Sequence, residues 1–161
     1  MSLEGKSVLV TGASRGIGRA IAVAAAEGGS KLTLTARSEA GLAETAAAVK
    51  AAGGSAEIVT GDAGDASDIA RAVDAAVSAH GGLDVLINNA GMIEPIARIE
   101  AATAADWARA MQVNLIGPVL FTKAALPHLR AAHGCIVNVS SGAAHRPLEG
   151  WPIARPRRRS G

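Results

Sequence analysis

Short apolar runs alternate along the chain with longer segments of helical periodicity. Five runs of five or six residues, rich in valine, isoleucine, leucine and threonine, predict buried strands. They span residues 6–11, 31–35, 56–60, 83–87 and 134–139. Their near-continuous apolar character, without strict alternation, is typical of strands covered on both faces of a sheet.

The segments between these runs carry the helical pattern. Alanine-rich stretches at 19–27 and 39–52 predict helices, and residues 65–79 place apolar side chains along one helical stripe. A pair of glycines ends each of the three. Residues 103–133 predict a short helix with Thr103 as its N-cap, followed by a longer helix, with a break near 114–118.

Strands that alternate with helices predict a parallel sheet with helices on both faces. We therefore predict an α/β fold with a doubly wound parallel sheet of about five strands. One domain is expected over residues 1–151. The periodicity stops at Pro152, and residues 152–161 are expected to form a disordered basic tail.

Charge and cysteine content narrow the classes of function. The formal net charge is +2, but four arginines fall in the last seven residues, and without them the charge becomes −2. We therefore expect no general nucleic-acid surface, and we expect neither a membrane span nor a secretory leader. The single cysteine, Cys135, excludes an internal disulfide and is expected to be core, which fits a cytoplasmic location. The four histidines lack metal-ligand spacing, so no metal site is expected.

The first predicted strand runs directly into a glycine-rich turn at residues 12–18, with the spacing G-x-x-x-G-x-G. Glycines let a backbone approach a diphosphate closely, and the free N–H groups at a following helix N-terminus attract its charge. A strand-to-helix connection is the context that such a dinucleotide site requires. A plain tight turn is the alternative.

The end of the second strand bears on the choice of coenzyme. An acid there would bind the ribose 2′-hydroxyl of NAD, whereas a base favours the 2′-phosphate of NADP. The chain has no acid at this point and places Arg37 there; Arg15, within the glycine turn, could add a second guanidinium. We predict NADP rather than NAD, with a solvated loop arginine as the alternative for Arg37.

Four motifs, taken in order, resemble the classical short-chain dehydrogenase/reductase family over about residues 5–151. They are T-G-x-x-x-G-x-G from Thr11, N-N-A-G from Asn88, the single Asn114, and I-V-N-V-S-S ending at Ser141. The resemblance implies a Rossmann domain that transfers a hydride between NAD or NADP and an alcohol or carbonyl substrate. Besides Arg37, the resemblance implies coenzyme contacts for Gly12, Ser14, Arg15, Ile17, Gly18, Asp62, Asn89, Ala90 and Gly91, with Asp62 as the adenine-contacting acid.

The same resemblance implies catalytic roles for two residues, and it shows that this chain lacks one of the family's motifs. Asn114 matches the family's asparagine that holds a proton-relay water, and Ser141 matches the serine that binds the substrate oxygen. The family's Tyr-x-x-x-Lys would fall near Ala154 and Arg158, yet the chain has no tyrosine and its last lysine is Lys123. We therefore expect an oxidoreductase by descent that is inactive as written. The structural alternatives are a helix-break residue that satisfies backbone groups for Asn114 and a loop cap for Ser141.

Residues 152–158 offer an interpretation of the missing motif. One back-translation of this segment reads Tyr-Cys-Ala-x-Lys in the next frame, which suggests a frameshift near Trp151. On this interpretation the sheet is incomplete, with about five of the family's strands.

Three other readings stay open. The chain could be a non-catalytic nucleotide-binding protein, or an interaction protein whose arginine tail binds an anionic partner such as RNA. It could also fail to fold stably, because an uncovered sixth strand position leaves an exposed sheet edge. The apolar helix over residues 115–129 could form a homo-oligomer face or simply belong to the core.

Overall fold

Strands and helices alternate from the first strand onward in a computed structural model of the chain, which describes residues 2–142. The strands are β1 (Ser7–Thr11), β2 (Lys31–Ala36), β3 (Ala56–Thr60), β4 (Val85–Asn88) and β5 (Cys135–Asn138). The helices are α1 (Gly16–Glu27), α2 (Glu39–Ala51), α3 (Ala66–His80), α4 (Ala104–Met111) and α5 (Gly117–Ala131). The domain boundary at residue 151, the tail and the positions expected for tyrosine and lysine lie outside the described residues.

The five strands form one parallel sheet in the order β3-β2-β1-β4-β5. The chain winds outward from β1 through β2 and β3, and then crosses to build β4 and β5 on the other side. This confirms the predicted Rossmann-type, doubly wound α/β fold. The strand order reverses between β1 and β4, and ligands of such sheets bind beyond the carboxyl ends of the strands at that point.

Helices cover both faces of the sheet, and β1 contributes to both cores. Val8 and Val10 pack with α1 and α2, whereas Leu9, between them, packs with α3 and α5. The residues that join Leu9 include Ile69, Val73, Phe121 and Ala125. All three β1 side chains are at most 1% exposed, so the central strand is fixed from both sides.

Helix α1 begins at Gly16, three residues before the predicted start. Two glycines, Gly16 and Gly18, therefore lie in its first turn, although glycine is a poor helix former. A prediction from helix propensity alone therefore places the start of α1 after both glycines. Gly18 is explained by its close approach to Gly12 and Asn89, and Gly16 by its positive φ of +57°, both described below.

The predicted break near 114–118 is only partly right, because the α-helical pattern is interrupted there but the chain stays helical. Residues Gln112–Ile116 form a π-helical turn that joins α4 to α5 without leaving the helical region. Gly117 follows at the start of α5, and a Cβ there would collide with the carbonyl oxygen of Ala63, so α5 lies directly against the loop after β3. Such π turns often occur at functional sites. Thr103 caps α4 as predicted, in a capping box with Asp106.

Strand β5 is more exposed than predicted. Cys135 packs against the core but is only half-buried, and Val137 is 45% exposed, so the expectation of a core cysteine is met only in part. The reason is that β5 forms an edge of the sheet within residues 2–142, as the expected uncovered sixth position implies.

Helix α5 has two different faces. Phe121, Ala125 and Leu129 are buried towards the sheet, whereas Val119, and Leu115 just before the helix, are at least half exposed. One face of α5 therefore belongs to the core, as the alternative prediction had it. An oligomer interface on the exposed face stays a prediction. In the described part of the chain no helix combines the length and apolar character needed to span a membrane.

Candidate functional site

The glycine turn, residues 12–18, leaves β1 at the reversal of strand order. Gly12 and Gly16 have φ of +66° and +57°, a conformation that favours glycine. A Cβ on Gly12 would lie 2.7 Å from the Cα of Ala90. A Cβ on Gly18 would collide with the carbonyl oxygen of Gly12 and lie 2.6 Å from Nδ2 of Asn89. The turn can therefore touch the loop after β4 only because these positions lack side chains.

Thr11 and Asn89 fasten the ends of β1 and β4 together. The Thr11 hydroxyl accepts the N–H groups of Asn89 and Ala90, both at 3.0 Å, and donates to the carbonyl of Ile87 at 3.3 Å. Nδ2 of Asn89 donates to the carbonyls of Thr11 at 2.9 Å and Gly12 at 3.2 Å. We call this set of bonds the Thr11–Asn89 latch. It fixes the glycine turn relative to the loop after β4.

Thr11 opens the T-G-x-x-x-G-x-G motif, but sequence reasoning assigned it no role in the site. It is 1% exposed and reads as an ordinary β-branched strand residue. The available signal was its position, because a hydroxyl at the last residue of a central strand faces the exit of the neighbouring strand.

The N-terminus of α1 has the properties of an anion site. Its N-cap, Arg15, has extended backbone and makes no side-chain capping bond, and no acidic residue lies in the first turn. The first N–H groups of a helix have no partner within the helix and carry the positive end of its dipole. A phosphate group would supply the missing acceptor.

A cleft of about 300 Å³ opens beyond the carboxyl ends of β1, β2 and β3, and we call it the glycine cleft. Its walls are the glycine turn, residues 35–37, residues 61–63, residues 89–92, and the side chains of Arg109 and Val113. All ten positions proposed from sequence for coenzyme binding line this cleft: Gly12, Ser14, Arg15, Ile17, Gly18, Arg37, Asp62, Asn89, Ala90 and Gly91.

Asp62 is held by two partners at the edge of the glycine cleft. Its Oδ1 accepts the Gly64 N–H at 2.8 Å, and its Oδ2 forms a short ion pair with the Arg109 guanidinium. Partial burial alone would raise the pKa of Asp62, but the Gly64 and Arg109 hydrogen bonds and the charges of Arg109 and Arg37 hold that pKa below its ordinary value. Asp62 is therefore an ionised acceptor. Sequence reasoning missed Arg109, since 47 residues separate it from Asp62.

A second cavity, of about 850 Å³, adjoins the glycine cleft, and we call it the asparagine cavity. Ile17 and residues 89–92 line both spaces. Asn114 and Ser141, the two predicted catalytic residues, both line this cavity, so the structure brings them to one space. Leu115, Val119 and other apolar side chains complete its wall.

The Asn114 side chain is committed to the backbone. Its Nδ2 donates to the carbonyl of Met92 at 2.8 Å, and its Oδ1 accepts the Met92 N–H at 2.9 Å. The π turn brings this amide opposite the segment that follows the Thr11–Asn89 latch. The alternative in which Asn114 satisfies backbone groups thus describes what its side chain does.

Asn88 and Asn138 form a polar pair in the same cavity that sequence reasoning did not assign to it. Nδ2 of Asn88 donates to Oδ1 of Asn138 at 2.9 Å. Among residues 2–142, no donor reaches the buried Oδ1 of Asn88. The same residues contain no cluster of three histidine, cysteine, aspartate or glutamate side chains that could hold a metal ion.

Comparisons with known proteins agree with this architecture. The family model described as short chain dehydrogenase matches residues 6–153. An uncharacterized oxidoreductase of Methylorubrum extorquens is 45% identical over 140 residues, which cover 86% of this chain and 56% of that protein. This chain thus spans about half the length of the curated relatives it matches.

Two solved structures show the same fold. A metagenomic short-chain oxidoreductase in complex with NADP has a TM-score of 0.87 and 38% identity, with 94% of this chain and 69% of that chain covered. An NADH-dependent reductase complexed with NAD has a TM-score of 0.88 and 31% identity, with 94% and 66% covered. Sequence and structure together show that the chain belongs to the short-chain dehydrogenase family.

Proposed function

We propose that the chain binds a nicotinamide dinucleotide in the glycine cleft, NADP in preference to NAD. The observation that carries this proposal is the glycine turn, held by the Thr11–Asn89 latch so that an uncapped helix N-terminus faces the cleft. A diphosphate is the anion that such a turn accommodates between a strand and a helix. The two related structures with bound NADP and NAD support the coenzyme class.

The residues that line the cleft fit the parts of a dinucleotide. The glycine turn would hold the diphosphate, and Asp62, an ionised acceptor, would take a hydrogen bond from the adenine amino group. Arg15 and Arg37 would pair with the 2′-phosphate, since guanidinium groups bind phosphate through two parallel hydrogen bonds. When bound, the nicotinamide ring supplies a hydride donor or acceptor for an alcohol–carbonyl pair.

Arg37 carries the preference for NADP in this proposal. We expect Arg37→Glu to weaken NADPH binding about 10- to 100-fold, because it removes a charge-assisted hydrogen bond worth about 1.5–3 kcal/mol. The NADH affinity should change by less than about threefold, since a carboxylate can accept from a free 2′-hydroxyl. Fluorescence titration of both coenzymes measures the two constants.

Arg130→Glu is the matched control for this experiment. It makes the same charge change on exposed surface outside the glycine cleft, so both affinities should stay close to wild type. Equal losses of NADPH and NADH affinity in Arg37→Glu would contradict the assignment of Arg37 to the 2′-phosphate.

The asparagine cavity supports a proposal for the reaction class. We propose that this cavity takes a small alcohol or carbonyl compound, with Ser141 binding its oxygen and the π turn of Asn114 forming the opposite wall. The chain contains no tyrosine, the residue that its family uses to move the proton at that oxygen. The loss of an acid–base group lowers a rate about 10²–10⁴-fold.

A nucleotide-binding protein without turnover is therefore the second candidate function. The absence of tyrosine is the observation that favours it. Steady-state oxidation of NADPH in the presence of simple aldehydes and ketones separates the two candidates. No carbonyl-dependent oxidation by a chain that binds NADPH supports the second, and measurable oxidation removes it.

A further inference from the structure

We propose that Thr45 and Arg19, which lie behind the glycine turn, are positioning residues that aim its N–H groups into the glycine cleft. Neither side chain lines that cleft. The inference rests on the proposed function, because it concerns the part of the turn that would hold the diphosphate. It adds a set of contacts from α2 that the glycine motif does not include.

Thr45 and Arg19 bind two successive carbonyl groups of the turn. The Thr45 hydroxyl lies 2.8 Å from the carbonyl oxygen of Ala13 and 3.0 Å from that of Gly41 in its own helix. The Arg19 guanidinium donates to the carbonyl of Ser14 at 2.7 Å, and its Nε donates to the Thr45 hydroxyl at 3.0 Å. Thr45 is fully buried, so solvent does not compete for the bonds of its hydroxyl, whereas the Arg19 side chain is 34% exposed.

Because of peptide geometry, these contacts also determine where the N–H groups of Ser14 and Arg15 point. In a planar trans peptide the C=O of one residue and the N–H of the next point in opposite directions. The Ala13 carbonyl points to α2, so the Ser14 N–H points away from α2. The Ser14 carbonyl points to the Arg19 guanidinium, so the Arg15 N–H points away from that guanidinium. Ser14 and Arg15 line the glycine cleft, and no acceptor within residues 2–142 binds either N–H.

Helix α2 is built to approach the turn closely. A Cβ on Gly41 would lie 2.9 Å from the Cβ and 3.0 Å from the carbonyl oxygen of Ser14, so a larger residue would push α2 away. Glu44 of the same helix forms an ion pair with the Arg19 guanidinium, with 2.7 Å between the carboxylate oxygen and the nitrogen. The first turns of α2 therefore set the orientation of a loop that belongs to another strand–helix unit.

A pair of substitutions at Thr45 tests the inference. Thr45→Val keeps the shape of the side chain and removes the hydroxyl, whereas Thr45→Ser keeps the hydroxyl and loses a methyl group. We expect Thr45→Val to weaken NADPH binding about tenfold, in line with the loss of one hydrogen bond to the turn. Thr45→Ser should stay within about threefold of wild type, and Glu44→Gln, which leaves the Ser14 contact in place, should do the same.

Adenosine 2′-monophosphate separates positioning from a general loss of structure. It carries the adenine and the 2′-phosphate but no diphosphate, so Thr45→Val should bind it as wild type does. Equal NADPH affinities of the valine and serine variants would overturn the inference, and so would equal proportional losses for NADPH and adenosine 2′-monophosphate. A wild-type chain that binds no NADPH would instead remove the proposed function, and this inference with it.

Discussion

A single methyl group added at Gly18 is expected to weaken NADPH binding by about a hundredfold or more. Gly18→Ala places a Cβ against the carbonyl oxygen of Gly12 and 2.6 Å from Nδ2 of Asn89. Both atoms belong to the glycine turn or to the latch that holds it, so the turn must move. Overpacking of this kind costs about 1–3 kcal/mol, and about 2.7 kcal/mol corresponds to a hundredfold in affinity.

Local helix propensity predicts the opposite effect at this position. Alanine is about 1 kcal/mol better than glycine inside a helix, so any loss in Gly18→Ala is due to the collision. Gly82→Ala is the matched control, because a Cβ there meets open space and the backbone φ is ordinary. It should leave NADPH affinity unchanged. Wild-type affinity in Gly18→Ala would show that the turn does not bind the coenzyme in this conformation.

Removal of the Thr11 hydroxyl is expected to lower the free energy of unfolding by about 2–4 kcal/mol. In Thr11→Val the N–H groups of Asn89 and Ala90 lose their acceptor and the Ile87 carbonyl loses a donor. Each buried polar group left without a partner costs about 1–3 kcal/mol. A loss of this size is a large fraction of the 5–15 kcal/mol that stabilises a typical domain.

Urea denaturation measures this effect directly. Thr11→Ser is the matched variant, since it keeps the hydroxyl and should lose only about 1 kcal/mol for a buried methyl group. If the valine and serine variants unfold at the same urea concentration, the latch contributes no stability.

The fold could be predicted from the sequence because its strands are short, apolar and evenly interrupted. The apolar run over residues 56–60 predicts a strand with the bounds that β3 has, and the predicted α2 differs by one residue at its end. The parallel sheet follows from the alternation of strands and helices. The errors fall where tertiary contacts override local preference: at the glycines of α1, and in the π turn, where Gly117 packs on Ala63.

The exposure of β5 escaped sequence reasoning for a different reason. An apolar run such as that from Cys135 to Val139 predicts a strand but carries no information about which neighbours it has. Val137 is 45% exposed because no strand within residues 2–142 lies beyond β5.

The candidate site also has a part that the sequence predicts and a part that it does not. A motif with fixed spacing is visible in sequence, and all ten positions predicted for coenzyme binding from motifs and strand ends line one cleft. The partners that orient them are not visible, because each contact joins distant parts of the chain. Arg109 reaches Asp62 across 47 residues, and Thr45 reaches Ala13 across 32. Only the folded chain brings these pairs together.

The central claim is that the glycine turn at the carboxyl end of β1 binds the diphosphate of a nicotinamide coenzyme. Isothermal titration calorimetry of NADPH into the folded, unmodified chain tests it most directly. We expect saturable binding of one NADPH per chain, competed by NADP. A chain that shows cooperative unfolding yet gives no saturable heat with NADPH or NADH would contradict the claim.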